Sequence, residues 1–281
     1  MARSGIMLAN PFEEKRLAKW NTETVIVQPK LDGERCRAVF NSSGRVSLYS
    51  SECNIITSVP HINLQLENRG LHDIELDGEL YVHEQSFEHI HSIVSRKVNE
   101  HYNSTSMQYH VFDIVTSDPQ IVRTRALHLL FKDTDNIRIV SWSTAHSVKD
   151  LIDTLREYKE RGYEGIIVRH PDAPYVRKRS LYMMKYKPKK NDIYKIVGFK
   201  EEISIHGVPK NRLGAFILAG DDGTLFSVGS GFDDTQREYY WQNREEYIGK
   251  WCEVQYQNIT TKGKVPRFPV FVEVRDSLFM T

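Results

Sequence analysis

The chain has 281 residues, of which 40% are hydrophobic and 27% are charged, and its formal net charge at pH 7 is +1. This length accommodates two ordinary domains or one large domain, and the composition is that of a globular protein. No apolar run reaches the roughly 18 residues that a membrane-spanning helix needs, and residues 1–20 lack the apolar core of a signal peptide. We therefore expect a cytoplasmic protein that does not bind membranes.

The three cysteines, Cys36, Cys53 and Cys252, are widely spaced and odd in number. This pattern argues against a disulfide framework and against a four-cysteine zinc site. The local charge distribution is more informative about phosphate binding than the net charge is. Residues 169–190 contain eight Lys or Arg residues and one acid, Asp172. A run of this kind is usually a solvated face, and phosphate binding is its main alternative.

Strand and helix patterns alternate through the first two thirds of the chain. The polar turn at 41–44 predicts a hairpin between two of the strands. Apolar residues at helical spacing predict helices at 86–97 and 148–161, the second capped by Ser147 and ended by Gly162. The apolar face of that second helix is formed by Val148, Leu151, Ile152, Leu155 and Tyr158. Strands are predicted at 24–28, 36–40, 45–49, 73–83, 107–115 and 165–169.

A polar, proline-containing stretch at 187–192 predicts a linker. Five strand patterns and one helix pattern in the following ninety or so residues favour an OB-like barrel over the alternative, a small β-sandwich. The strands are expected at 193–200, 214–219, 224–228, 250–257 and 270–275, and the helix near 233–246. We therefore predict two domains, residues 1–189 and residues 190–281.

Lys30 follows a predicted strand and precedes the tripeptide Leu-Asp-Gly. Taken alone, a lysine in this place is far more often a surface residue than a nucleophile. An amine that attacks phosphorus must be unprotonated, a state that burial and neighbouring cations favour. Arg35, Lys185 and Lys187 are candidate cations, and alternate positions on a strand would direct Lys185 and Lys187 toward one target.

Acidic residues occur in two similar contexts, Glu79 at the predicted end of one strand and Glu164 just before another. Each is usually a turn former when taken alone, but two such carboxylates beside one phosphate would supply oxygen ligands for Mg²⁺. Phe112 is most simply a core residue, and its functional alternative is a stacking platform for a purine base.

The order and spacing of these segments resemble those of the ATP-dependent DNA ligases, within the wider superfamily that includes mRNA-capping guanylyltransferases. The resemblance covers nearly the whole chain. Its motifs lie at residues 7–9, 30–35, 76–80, 111–113, 164–169, 184–187 and 267–276. It implies an α+β protein, in which an ATP-grasp-like nucleotidyltransferase domain of mainly antiparallel sheets with flanking helices precedes an OB-fold β-barrel.

The resemblance also implies residue roles. Lys30 would attack the α-phosphate of ATP to give lysyl-AMP, Phe112 would stack on adenine, and Glu79 and Glu164 would hold Mg²⁺ or Mn²⁺. The implied catalytic residues are Lys30, Asp32, Arg35, Lys185 and Lys187. The implied ATP-binding residues are Gln28, Lys30, Leu31, Arg35, Glu79, Phe112, Glu164, Ile166, Lys185, Lys187, Arg267 and Arg275.

The implied substrate is nicked duplex DNA, and the implied enzyme is a monomer. It would be of the minimal two-domain form that is common in viruses and phages. A viral or phage enzyme would act in the host cytoplasm. Two positions depart from the family pattern. Gln28 stands where many of these ligases have Glu, and Ser51 stands where an arginine that helps to bind the nick 5′-phosphate is expected. Arg45 and Arg96 are candidates to replace that arginine.

Other functions remain open at this stage. An RNA ligase or a capping guanylyltransferase would share the Lys30 chemistry, and a non-catalytic DNA-end binder could be built on the same fold. The Gln-Pro-Lys and Arg-Phe-Pro segments that begin at Gln28 and Arg267 favour a DNA ligase. NAD as the AMP donor is disfavoured, because three scattered cysteines cannot supply the zinc element of those enzymes.

Overall fold

The computed structural model describes residues 5–220, 222–256, 259–260 and 264–276. The chain divides into two compact units, Met1–Lys187 and Pro188–Thr281, and the division falls two residues before the predicted domain boundary. Each unit has its own hydrophobic core. No helix in the described part of the chain is long and apolar enough to cross a membrane.

The first unit contains two five-stranded sheets. The first sheet consists of β1 (Leu8–Pro11), β2 (Val25–Lys30), β8 (Ser143–Ala145), β9 (Gly165–Arg169) and β10 (Arg179–Tyr186). The second consists of β3 (Glu34–Phe40), β4 (Val46–Ser50), β5 (Glu75–Tyr81), β6 (Gln108–Ile114) and β7 (Ile137–Ile139). Their strand orders are β1-β10-β9-β2-β8 and β4-β3-β5-β6-β7, and only the pairs β1/β10 and β6/β7 are parallel. This arrangement confirms the predicted mainly antiparallel sheets.

Helices flank these sheets: α1 (Glu14–Leu17), α2 (Pro60–Glu67), α3 (Phe87–Val94), α4 (Gln120–Leu130) and α5 (Val148–Glu160). The prediction for α5 is confirmed, because the Ser147 hydroxyl accepts a hydrogen bond from the Asp150 N–H, and Gly162 takes the left-handed conformation that follows many helices. Its predicted apolar face is wrong at Ile152, which is exposed because it lies at the edge of the stripe that buries Leu151 and Leu155. Neither α2 nor α4 was predicted.

The second unit is a five-stranded antiparallel sheet that curls on itself. Its elements are β11 (Lys190–Ile203), β12 (Pro209–Ala219), β13 (Leu225–Val228), α6 (Asp234–Gln242), β14 (Trp251–Tyr256) and β15 (Val270–Arg275). The strand order is β13-β12-β11-β14-β15, and a parallel bridge from Ser230 to Val270 joins the two edges. Joined edges make the unit a barrel rather than an open sandwich.

Part of the predicted linker is a strand instead. Residues 190–192 begin β11 and pair with β14, where Asn191 lies opposite Gln255. The Gln255 side chain donates a hydrogen bond to the Asn191 Oδ1 at 3.2 Å. Polar residues are accommodated there because residues 190–192 are exposed, so their composition resembles that of a loop.

Candidate active site

The backbone places Lys30 at the last position of β2, opposite Gly165 on β9. Two glycines allow the strands around it to approach closely. A Cβ added at Gly33 would lie 2.3 Å from the Leu80 carbonyl oxygen, and one added at Gly165 would lie 2.4 Å from the Tyr186 carbonyl oxygen. Both contacts are too short for any side chain, so the glycines that follow Asp32 and Glu164 are required by packing.

A single carboxylate, that of Glu164, bridges two lysines. The Lys30 ammonium group donates to Oε2 of Glu164, and the Lys187 ammonium group donates to Oε1 at 3.0 Å. Burial raises the pKa of Glu164, but the two lysines outweigh that effect and hold the pKa below its ordinary value. The arrangement therefore fixes the Lys30 amine beside a charged acid.

Lys185 lies on β10 and faces the same region. Its pKa is lowered, first by burial and then by the charges of Lys187 and Lys30. Three ammonium groups thus gather around one carboxylate, and such a cluster can attract a phosphate group.

Glu79 is the second acid of this region, and it lies inside β5. This agrees with the predicted strand at 73–83 and corrects the prediction that Glu79 ends the strand. The strand continues because Leu80 and Tyr81 are core residues. The Gly33 N–H donates to Oε1 of Glu79 at 3.3 Å, and burial raises the pKa of Glu79 to about 7 against the charges of Lys30 and Arg35.

No group of three His, Cys, Asp or Glu side chains that could hold a metal ion occurs among the residues that the structure describes. Magnesium sites commonly use only one or two carboxylates, completed by water and substrate phosphates. Glu79 fits such a site. Glu164 fits it only if a lysine releases one of its oxygens, because both are hydrogen-bonded.

Arg35 is held on the second sheet by a buried acid. Its guanidinium group donates to both oxygens of Asp77, at 2.7 and 2.5 Å, and the Tyr175 hydroxyl donates to the same carboxylate at 2.5 Å. The Arg35 guanidinium carbon also lies 4.6 Å from the centre of the Phe112 ring.

Gln28 and Phe112 lie against each other. The Gln28 amide group donates to the Phe112 carbonyl at 3.2 Å, while its own Oε1 is buried with no partner among the described residues. A buried acceptor without a partner is costly unless a ligand supplies the donor. Phe112 is 9% exposed, so stacking a base on its ring requires local side-chain movement.

Two models of known protein families match this chain. The model of the ATP dependent DNA ligase domain matches residues 6–187, about two thirds of the chain. The chain belongs to the ATP-dependent DNA ligase family. A second model, of the DNA ligase OB-like domain, matches residues 206–275 and confirms the barrel prediction for the second unit of this ligase.

Individual relatives agree with this assignment. The DNA ligase of Haemophilus influenzae is 28% identical over 199 residues, which cover 70% of each chain. The DNA ligase of Archaeoglobus fulgidus is 26% identical over 96% of this chain, and that of an African swine fever virus isolate is 31% identical over 53% of it. The matched regions span 55% and 37% of those two relatives.

Solved structures show the same two-domain fold. A Lig E DNA ligase, solved in a study of DNA binding with a minimal scaffold, has a TM-score of 0.74 and 24% identity, covering 96% of this chain and 99% of that one. Chlorella virus DNA ligase-adenylate has a TM-score of 0.52 and 26% identity, covering 98% and 99% of the two chains.

Two of the predicted site residues of this ligase are core residues of the first unit, and two others belong to the second unit. The Leu31 and Ile166 side chains are buried in two core clusters of the first unit. Arg267 and Arg275 belong to the second unit, where the Arg267 guanidinium lies 5.1 Å from the Phe268 ring centre. Arg275 pairs with Glu253 and, at 2.8 Å, with Glu273.

A buried ionic network behind Phe112 was not predicted. Asp113 accepts hydrogen bonds from Arg123 at 2.8 Å and from Arg169 at 2.9 Å, and Gln120 donates to it at 3.3 Å. Apart from the acid that follows Phe112, no sequence pattern indicates this network, because its arginines come from α4 and β9.

The turn after β4 carries Ser51. Arg45 precedes the opposite end of that five-residue strand, about 20 Å away at 3.3 Å per residue, and it pairs with Glu67. Its position does not support Arg45 as the replacement for the expected arginine. Arg37 is closer, since its Nη2 lies 3.6 Å from the Cys53 sulfur in the same turn.

Proposed function

We propose that this chain seals nicks in duplex DNA and that Lys30 carries AMP between ATP and the nick. The observation that supports this most strongly is the cluster of Lys30, Lys185 and Lys187 around Glu164. A lysine nucleophile needs a nearby phosphate-binding group and a fixed direction of attack, and the cluster offers both.

In the first step, the Lys30 ammonium group loses a proton to solvent, and the free amine attacks the α-phosphorus of ATP. The new N–P bond forms as the bond to pyrophosphate breaks, and the nitrogen loses a second proton to solvent. Glu164 orients the amine through its hydrogen bond and releases it as the phosphate arrives. Lys185 and Lys187 then neutralise the α-phosphate oxygens, which is an electrostatic contribution to the transition state.

The base and ribose would lie against the second sheet. Phe112 supplies a stacking surface, and the unpartnered Oε1 of Gln28 can accept a hydrogen bond from the exocyclic amine of adenine. Arg35, held by Asp77, lies beside the same ring and can contact the ribose or the phosphate. The roles of Asp32, Leu31, Ile166, Arg267 and Arg275 stay predictions.

Glu79 and Glu164 would contribute oxygen ligands to a divalent ion, Mg²⁺ or Mn²⁺. When bound, such an ion neutralises charge on the leaving pyrophosphate. These two ligands would come from different sheets, since Glu79 lies on β5 and Glu164 lies just before β9.

In the remaining steps, the nick 5′-phosphate attacks the phosphorus of lysyl-AMP and frees Lys30. The nick 3′-hydroxyl then attacks the 5′-phosphate and releases AMP, which leaves a continuous strand. Arg37 lies beside the turn that carries Ser51 and would support that phosphate in exchange for its pairing with Glu75. We expect the enzyme to act as a cytoplasmic monomer.

The test is a pair of assays on the purified chain. Incubation with α-labelled ATP or GTP should give a stable protein label with ATP only. A nick-sealing assay on DNA/DNA and DNA/RNA duplexes, with ATP or NAD as the donor, should then seal a DNA nick with ATP. Label from GTP alone would identify a guanylyltransferase instead, and sealing of RNA nicks alone would identify an RNA ligase.

A further inference from the structure

The residues proposed to act on ATP come from two different sheets of the first unit. Lys30, Glu164 and Lys185 belong to the first sheet or its strand ends, whereas Arg35, Glu79 and Phe112 belong to the second. The base would stack on the second sheet, with a hydrogen bond to Gln28 on β2, while the nucleophile is carried by the first sheet. A precise distance between the sheets is therefore needed for an in-line attack.

Arg169 joins the two sheets at this point. It is the last residue of β9, the strand that begins directly after Glu164, and it is 3% exposed. Its Nη1 donates to Asp113 on β6 at 2.9 Å and to Gln120 at 3.0 Å. Asp113 directly follows Phe112, and the Arg169 guanidinium carbon lies 5.5 Å from the centre of the Phe112 ring.

Neutralising Asp113 does not require Arg169. Arg123 already donates to both oxygens of that carboxylate, at 2.8 and 3.3 Å, and it is almost fully buried. Arg169 therefore adds a second buried positive charge beside this acid. Burial disfavours that charge and lowers the pKa of Arg169. Its Nε atom is also buried without a partner among the described residues.

A buried charge in excess of what the local acid needs is unfavourable for stability. Such a charge is explained if the side chain has a further task, and the contacts of Arg169 indicate that this task is to hold the Phe112 ring. A guanidinium group over an aromatic face is attractive, and Arg169 reaches that face from the opposite sheet.

We infer that Arg169 is a positioning residue for adenylation, which fixes the Phe112 ring relative to Lys30 by tying β6 to β9. This inference rests on the proposed function, because it assigns a consequence to the stacking of adenine on Phe112. Arg169 acts through Phe112 and Asp113 and need not touch the nucleotide.

The test compares variants of two arginines that share Asp113. Arg169→Met removes the charge, Arg169→Lys keeps it without the planar fork, and Arg123→Lys is the matched control, since the Arg123 guanidinium lies 5.8 Å from the Tyr175 ring instead. Self-adenylation is measured against ATP concentration, and melting temperature reports folding. A purely structural role would lower the active fraction and the melting temperature but leave KM for ATP unchanged.

We expect Arg169→Met to raise KM for ATP about tenfold, the equivalent of a cation–π contact in a desolvated site, and Arg169→Lys to recover part of it. Arg123→Lys should keep KM within about twofold of the parent value. Inhibition by adenosine should weaken in parallel with KM in Arg169→Met, whereas inhibition by tripolyphosphate, which engages the lysines, should not.

An unchanged KM in a folded Arg169→Met protein would overturn the inference. An equal rise in KM for Arg123→Lys would also overturn it, because the effect would then belong to Asp113 and not to Arg169. A parent chain that takes no label from ATP would contradict the proposed function itself, so the two failures are distinguishable.

Discussion

Two buried carboxylates of the first unit, those of Glu164 and Asp113, each pair with two basic side chains, but the exposure of those side chains differs. Glu164 bridges Lys30 and Lys187, whose side chains are 20% and 17% exposed. Asp113 bridges Arg123 and Arg169, whose side chains are 1% and 4% exposed. Each acid is bonded to two cations, and Lys185 adds a third positive charge near Glu164. Of the two sites, only the lysine site is open to solvent and to an incoming phosphate.

The difference separates a reactive cluster from a supporting one. Lysines are flexible and lose their partner readily, so the Glu164 site can exchange a carboxylate for a phosphate. Arginines with planar, multiple hydrogen bonds around a desolvated acid form a rigid connection that is costly to disrupt. We therefore expect changes at the first site to affect chemistry and changes at the second to affect stability and alignment.

The largest effect is expected at the nucleophile. Lys30→Ala should abolish self-adenylation, because no other amine in the cluster lies at the end of β2. The measurement is the protein label obtained from α-labelled ATP, with circular dichroism to confirm folding. Lys149→Ala, on the exposed face of α5, is the control and should label normally. Label persisting in Lys30→Ala would refute the assignment.

Asp113→Asn should be the most destabilising change in this set. It leaves two buried guanidinium groups without their acid, and breaking a buried ion pair in this way typically costs about 3–5 kcal/mol. Urea unfolding followed by tryptophan fluorescence measures the loss. A change in the free energy of unfolding below about 1 kcal/mol, the range of exposed pairs, would mean that the two sites do not differ as we describe.

Glu164→Gln should show the reverse pattern. The amide keeps the shape but loses the charge that orients Lys30, so we expect self-adenylation to slow by about 10²-fold, a loss typical of one electrostatic contact in a transition state. Stability should change little, because the lysines that lose a partner remain partly solvated. Equal losses of activity and stability would erase the distinction between the two carboxylates.

The Glu164 site could be predicted from the sequence, whereas the Asp113 network could not. Lys30, Glu164 and Lys187 could be predicted because each lies at a strand end within a short motif, and the order of these motifs resembles that of the ligase family. The Asp113 network could not, because α4 buries Gln120, Arg123 and Thr124 and so lacks the apolar periodicity by which helices are recognised. A polar buried face becomes visible only when packing is known.

Ser51 offers the smallest expected effect. Ser51→Arg should lower KM for nicked DNA a few-fold by adding one phosphate contact, and the salt dependence of binding should steepen by about one counterion. Arg45→Ala serves as the control, because the structure places that arginine at the other end of β4. An unchanged or raised KM for Ser51→Arg would show that the turn does not meet the DNA phosphate.

The most direct test of the account is to locate the AMP on the protein. After incubation with ATP and the divalent ion, proteolysis and mass spectrometry should find a phosphoramide-linked AMP on the peptide that contains Lys30. AMP on Lys185 or Lys187, or on no lysine at all while nicks are still sealed, would contradict it.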